Sequence, residues 1–245
     1  MTTKSLDASW FRPAATGSGR RTVVLFPPAG GGSSGFRRWA DVGTDNDVDI
    51  YVVTAPGREH RVRETPYHHV DSVLRVVVPQ LEALPTPLVL FGHSMGGLLA
   101  AETAARLSRS VDHVVVAASP APAQVVPTLV NASDADLVAA MRSWGGTPDA
   151  VLDDEEMLAL LLPCLRGDIA VGYSCLQAMV HRRLPVPFTA LAGRNDATVP
   201  VASMRGWEEH TSAGFRFTEV SGGHFFPFAA STPVVDVVLD AFTSA

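Results

Sequence analysis

The 245-residue sequence predicts an α/β protein built on a mostly parallel, twisted sheet with helices on both faces. Three observations carry that prediction. Short runs rich in Val, Leu and Ile recur along the chain, each runs into Gly, Pro or other turn formers, and helix-length stretches separate them. Strands buried on both faces of a parallel sheet read as continuous apolar runs of this kind. Their alternation with helical stretches is the mark of a doubly wound sheet, whose ligands bind beyond the carboxyl ends of the strands.

The elements follow in order. "TVVLF" (Thr22 to Phe26) runs into "PPAGGGSSG", and "DIYVVTA" (Asp49 to Ala55) runs into "PGREHR". "PLVLF" (Pro87 to Phe91) precedes "GHSMGG", and "DHVVVAAS" (Asp112 to Ser119) precedes "PAPAQ". "PFTALAG" and "FRFTEVSGGH" repeat the device near the end. Between the runs, "YHHVDSVLRVVVPQLEAL" and "MGGLLAAETAARLSR" read as helices. From about 124 to 183 no good strand is present, and "SDADLVAAMRSWGG" and "PDAVLDDEEMLALLLPCLRGDIAVGYSCLQAMV" read as three or four helices with Ser133 and Asp153 as N-caps. This insertion over the strand ends is expected to form a lid; extra packing helices would give the same pattern. The whole chain, 1–245, is read as one domain carrying that insertion.

Composition narrows the partners. Apolar residues make up 47% and charged residues 18%, with a net charge of -6 that is spread rather than blocked, as in an ordinary soluble globular protein. So acidic a surface argues against nucleic acid. Cys164 and Cys175 lack the paired spacing of a metal site and are expected to be buried thiols in a reducing cytosol. "MTTKSLDASWF" has no signal-peptide core, and no run approaches the roughly 20 apolar residues that cross a bilayer. The expectation is a cytoplasmic monomer that binds neither metal nor membrane.

The most informative stretch is "LFGHSMGGLLA". A nucleophile presented at the top of a sheet sits on a sharp strand-to-helix turn, where a side chain two positions before or after it would collide with backbone. Gly92 and Gly96 stand at those two positions around Ser94, with an apolar run before and a helix former after. Serine alone is a weak nucleophile and needs a histidine to take its proton and a carboxylate to hold that histidine's tautomer. On such a sheet they follow in the order serine, acid, histidine. His224 in "EVSGGHFFP" follows the last strand, and Asp196 in "FTALAGRNDATVP" follows the strand before it. Asp196 also fits a plain turn residue. No carboxylate follows "HVVVAASP" until Asp134, and His93 is expected to pack beneath the turn. The Met95 N–H, at a helix start, is one donor for a tetrahedral oxyanion; since Pro27 and Pro28 have no N–H, Ala29 is the first available second donor.

Beyond this site, "LFPPAGGGSSGFRRWA", "APGREHRVRETP", "FGHSMGGLLAAETAARL", "MRSWGGTPDAVLDDEEMLALLLPCLRGDIAVGYS" and the stretch from "FTALAGRND" to "GGHFFP" run through almost the whole chain. Together they resemble the stand-alone type II thioesterases that accompany polyketide synthases and nonribosomal peptide synthetases, members of the α/β-hydrolase superfamily. "WGGTP", "LLLPCLRGD" and "GGHFF" are more specific to that family than the serine turn. The resemblance implies an editing hydrolase for aberrant or stalled acyl groups on the phosphopantetheine arm of an acyl or peptidyl carrier protein. It implies Ser94, Asp196 and His224 as the triad, the Met95 and Ala29 amides as the oxyanion hole, and no cofactor of its own, since the pantetheine belongs to the substrate. Two departures stand out. Pro28 replaces a histidine of the family's usual Pro-His-Ala-Gly, and "PAPAQ" stands where a basic pair is common.

Leu158, Leu160, Leu161, Leu162 and Met179 are candidates to line the acyl chamber, though a Leu-rich helix also suits plain core. Arg37 with Arg38, Arg58 with Arg61 and Arg63, and Arg182 with Arg183 are available to dock an acidic carrier. The same triad would serve an esterase of free small esters. An inactive binding partner of a synthase is the third reading, against which the intact Ser94, Asp196 and His224 argue.

Overall fold

All six apolar runs read from the sequence form strands, in a computed structural model that describes residues 6–84, 87–124, 129–229 and 233–243. They are β2 (Thr22–Phe26), β3 (Asp49–Val53), β4 (Leu88–His93), β5 (His113–Ala117), β6 (Phe188–Gly193) and β7 (Phe215–Val220), joined by an additional β1 (Phe11–Ala15). The seven-stranded sheet has the order β1-β3-β2-β4-β5-β6-β7. Only β1 runs antiparallel, against β3. "FRPAA" holds too few apolar residues to announce a strand, and its Pro13 is tolerable only at a sheet edge, where the register also slips. The free edge of β3 makes it a strand.

Alternate residues of the buried strands face opposite cores. Val24 and Phe26 pack in the larger one with α2 (Val70–Leu81) and α3 (Met95–Arg106), while Val23 and Leu25 pack with α1 (Trp39–Asp45) and α8 (Val234–Asp240). Along α2 the buried residues are Val70, Val73, Leu74, Val77 and Leu81, one stripe at helical spacing. Each such side chain stabilises the fold by roughly 1.5–3 kcal/mol on burial.

The insertion folds as α4 (Asp134–Trp144), α5 (Asp149–Leu152) and α6 (Glu155–Met179); residues 125–128, in its first stretch, lie outside the described residues. Ser133 caps α4 as expected: its Oγ accepts from the Asp136 N–H at 3.2 Å and Asp136 Oδ2 accepts from the Ser133 N–H at 3.1 Å, a box worth about 1 kcal/mol. The cap of α6 is Asp154 rather than Asp153. Asp154 Oδ1 accepts from the N–H groups of Glu156 and Met157 at 2.9 and 3.1 Å. Asp153 instead closes α5 through its N–H to the Asp149 carbonyl and turns its carboxylate to Arg142. α6 continues through Pro163 for 25 residues. By length and composition it would reach across a bilayer, but half of its most apolar window is buried inside the protein, where its Ser174 hydroxyl accepts from the Val70 N–H. Cys164 and Cys175 are free, buried thiols on α6; burial pushes Cys164 up to about 12 and Cys175 well above its ordinary range. Among the described residues no cluster of His, Cys, Asp or Glu could hold a metal.

Strand order decides where a ligand fits. From β2 the chain moves outward to β3, then crosses to β4 on the other side of β2. The loops leaving β2 and β4 therefore diverge at their carboxyl ends and open a crevice between them.

Candidate active site

Ser94 occupies that crevice at the end of β4. Its backbone lies at φ +55°, ψ -124°, a conformation that costs a non-glycine residue on the order of 1–3 kcal/mol. Two hydrogen bonds hold it there: the Ser94 N–H donates to the Ala117 carbonyl and the Gly97 N–H to the Ser94 carbonyl, both at 2.9 Å. A β-carbon on Gly92 would be driven into the Gly96 carbonyl, and one on Gly96 into the carbonyl of Phe26 on β2. Glycine at both places lets α3 start against the sheet while the serine side chain stands clear.

The carboxylate and the histidine arrive from β6 and β7, beyond β5. Asp196 follows β6, and its two oxygens have separate duties. Oδ1 accepts from the Thr198 and Val199 N–H groups at 2.8 and 2.9 Å, which closes the "NDATV" turn, while Oδ2 lies 2.9 Å from His224 Nδ1. The turn residue and the histidine's partner are thus the same carboxylate. Burial works against its charge, but the hydrogen bonds from His224, Val199 and Thr198 prevail and hold the carboxyl below its ordinary pKa. His224 follows β7, and its Nε2 lies 3.0 Å from Ser94 Oγ. The three side chains form one hydrogen-bonded line.

His93 packs beneath the turn, as its place in the sequence suggested. It is fully buried against His224, Phe225 and Phe228, and its Nε2, which must carry the proton, donates to the His224 carbonyl at 2.8 Å. Burial, with the neighbouring His224 ring second, pushes its pKa down to about 3; burial also lowers His113, beside Thr189, to about 4. In the unfolded chain both rings take a proton near pH 6.5. Between that pH and their folded values the unfolded state binds more protons, so stability is lost as pH falls. Urea midpoints should drop from about pH 7 to about pH 4.5, and His113→Gln should flatten the slope.

A cavity of about 670 Å³ opens over Ser94, lined also by Ala29, Met95, Leu98, Pro120 and Val199. A second, of about 460 Å³, lies beyond, among Pro28, Gly31, Met141, Leu161, Leu165 and Phe225. Ala29 and Trp144 belong to both.

The thioesterase domain family model matches residues 21–242. The chain belongs to the thioesterase family. This thioesterase is 31% identical over 244 residues to the gramicidin S biosynthesis protein GrsT of Aneurinibacillus migulanus, covering 96% of this chain and 94% of that one. It is 36% identical over 221 residues to the phenyloxazoline synthase MbtB of Mycobacterium tuberculosis, covering 83% of this chain but 15% of that protein. The solved structure of YbtT, a type II thioesterase from the yersiniabactin NRPS/PKS biosynthetic pathway, superposes with a TM-score of 0.83 at 26% identity, covering 96% of this chain and 98% of that one.

The lining of the thioesterase cavity differs from the expectation. Leu158 and Leu162 face a separate groove between α4 and α6, Leu160 is 51% exposed, Leu161 lines the second cavity, and Met179 is buried in the main core. What α6 contributes over Ser94 is Ile169, Gly172, Tyr173 and Leu176. The "LLLP" leucines lie on the first turns of a long helix that only its middle carries across the serine, and composition does not say which turn that is. The basic pairs also divide. Arg58 and Arg61 are buried: Arg58 pairs with Asp168, and Arg61 pairs with Glu64 over the Trp10 ring. Arg182 meets Glu102, and Arg183 donates to the Thr211 carbonyl. Arg37, Arg38 and Arg63 stay exposed. Trp144, in "SWGGTP", and Asp168, in "LRGD", carry no role in the sequence beyond the family signature, while Arg58, in "PGRE", reads there as a docking cation.

Proposed function

We infer that this thioesterase hydrolyses acyl thioesters borne on the phosphopantetheine arm of acyl or peptidyl carrier proteins, clearing aberrant or stalled groups from polyketide or nonribosomal peptide synthesis. The observation that carries this reading is the Asp196–His224–Ser94 line at the floor of a mainly apolar cavity. The relatives support the setting, GrsT by its biosynthetic name and YbtT by its NRPS/PKS pathway, while MbtB is a synthase of which a stretch as long as this chain is a small part. With a carrier-bound substrate goes a cytoplasmic location beside the synthase, which is part of the same proposal.

In the proposed reaction Ser94 Oγ attacks the thioester carbonyl as His224 Nε2 takes its proton, with Asp196 holding the Nδ1–H tautomer. The Ala29 and Met95 N–H groups donate to the oxyanion; one such donor is worth about 3 kcal/mol. Collapse breaks the C–S bond and expels the pantetheine thiolate, which takes the proton from the imidazolium. A thiol leaves far more readily than an amine because its pKa is about 8.5. His224 then deprotonates water, which attacks the acyl-serine, and the acid is released as Ser94 regains its proton.

Mass spectrometry of acylated carriers before and after incubation tests the reading. Free carrier and acid are expected, together with a preference for the thioester over an oxygen ester of equal chain length. A preference for the oxygen ester would overturn it in favour of an esterase. Trp144, shared by both cavities, should set acyl length. Trp144→Ala is expected to move the optimum of kcat/KM, measured across a series of acyl chains, toward longer groups by at least a few methylenes, each buried CH₂ being worth about 0.8 kcal/mol.

A further inference from the structure

We propose that Arg58 and Asp168 are positioning residues for the oxyanion hole, their buried ion pair fixing the loop that carries the Ala29 N–H and tying it to the lid helix α6. The proposal rests on the hydrolytic reading above and names what orients one of its donors.

The pair is bidentate. Arg58 Nη1 donates to Asp168 Oδ2 at 2.9 Å and Nη2 to Oδ1 at 2.6 Å, with the two side chains 8% and 7% exposed. Both partners also grip the loop after β2. The Gly30 N–H donates to Asp168 Oδ2 at 2.7 Å, and Arg58 Nη1 donates to the Gly31 carbonyl at 2.9 Å. Arg58 Nε reaches back to the Ala55 carbonyl at 3.2 Å. Three segments distant in sequence, the loops after β2 and β3 and the middle of α6, therefore meet at one guanidinium and one carboxylate.

The loop itself is a tight turn: the Gly31 N–H donates to the Pro28 carbonyl at 2.9 Å, and Gly30, third in that turn, has φ +70°, the signature of a type II turn. Its central peptide joins Ala29 to Gly30. Rotation of that peptide would turn a type II turn into type I, and the Asp168 carboxylate, by holding the Gly30 N–H, blocks it. On the other side Pro27 and Pro28 have their φ fixed by their rings. Ala29 is thus clamped between two rigid prolines and an anchored amide, beside Ser94 in the same cavity. An apolar pair of similar volume would hold a core together as well as a buried ion pair does. It would leave the Gly30 amide without an acceptor, and that is the distinction the test exploits.

In the double variant Arg58→Met/Asp168→Leu no unpaired charge is left inside, so the fold is expected to persist. The readouts are kcat and KM on an acyl thioester and the inhibition constant of an alkyl trifluoromethyl ketone, which Ser94 converts to an anionic adduct resembling the tetrahedral intermediate. The expected result is a fall in kcat of about a hundredfold with KM nearly unchanged, and a loss of ketone affinity by about the same factor, as when an oxyanion donor is removed. A kcat within about threefold of the parent, or a lowered kcat with ketone affinity intact, overturns the proposal. Labelling of the parent protein by a fluorophosphonate separates the two levels: an unlabelled parent Ser94 defeats the hydrolytic reading, whereas a labelled parent with an unaffected double variant defeats only the anchor. Should the double variant not fold, hydrogen exchange on the parent decides. The Gly30 amide is expected to be as protected as amides of β2, and exchange at the rate of an open loop overturns the proposal.

Discussion

Ser94→Ala is expected to lower turnover by about a million-fold, the scale on which serine triads fail when the nucleophile is removed. The substitution takes away one oxygen and little else. Ser94 Oγ makes its hydrogen bond to His224, and the backbone bonds that hold the turn, Ser94 N–H to Ala117 and Gly97 N–H to Ser94, do not involve the side chain. Alanine accepts the +55° φ no better and no worse than serine, so the melting temperature should barely move. Residual hydrolysis above water is expected, because the oxyanion donors and the cavity remain. Single-turnover kinetics on an acylated carrier would check this, with carrier binding followed separately. A variant that kept a near-normal rate would remove Ser94 from the mechanism, and with it the acyl-enzyme.

Asp196→Asn is expected to cost about ten-thousand-fold in kcat while leaving the turn intact. The asparagine carbonyl can still accept from Thr198 and Val199, which is the structural duty of Oδ1. At the other position an NH₂ group would face His224 Nδ1, where the carboxylate oxygen lies now. The imidazole then places its proton on Nε2 and points a donor at Ser94, the wrong tautomer to accept a proton. Asp196→Ala removes both duties, and its additional loss of stability, read from a urea melt, would separate the turn from the chemistry. Because hydrogen bonds already hold the Asp196 carboxyl below its ordinary pKa, protonation of the aspartate should not set the acid limb of the rate profile in the parent.

Much of the site was legible because its parts are marked locally. Gly92 and Gly96 around Ser94, the glycines before His224, the prolines ahead of Ala29 and the turn at Asp196 are all short-range signals. The insertion was legible as helices but not as a surface: the leucines of "LALLLP" and the middle turns of α6 share a composition, and only the crossing of α6 over α3 makes Ile169, Tyr173 and Leu176 the lining. Arg58 carried the opposite signal from its role. Among neighbouring arginines it read as a docking cation, and no local pattern says that a carboxylate 110 positions away will bury it. β1 was hidden for the same reason, since its five residues become a strand only on the edge of β3.

What the sequence alone determined is the six parallel strands and the residue types that stand at their carboxyl ends, because apolar periodicity, glycine at a close approach and proline's missing N–H act within a few residues. Tertiary structure decided which strand ends converge, which turn of α6 covers the serine, and that a buried Arg58–Asp168 pair holds the loop carrying Ala29. Those are distances between segments far apart in the chain, set by sheet order and packing, and no local preference encodes them.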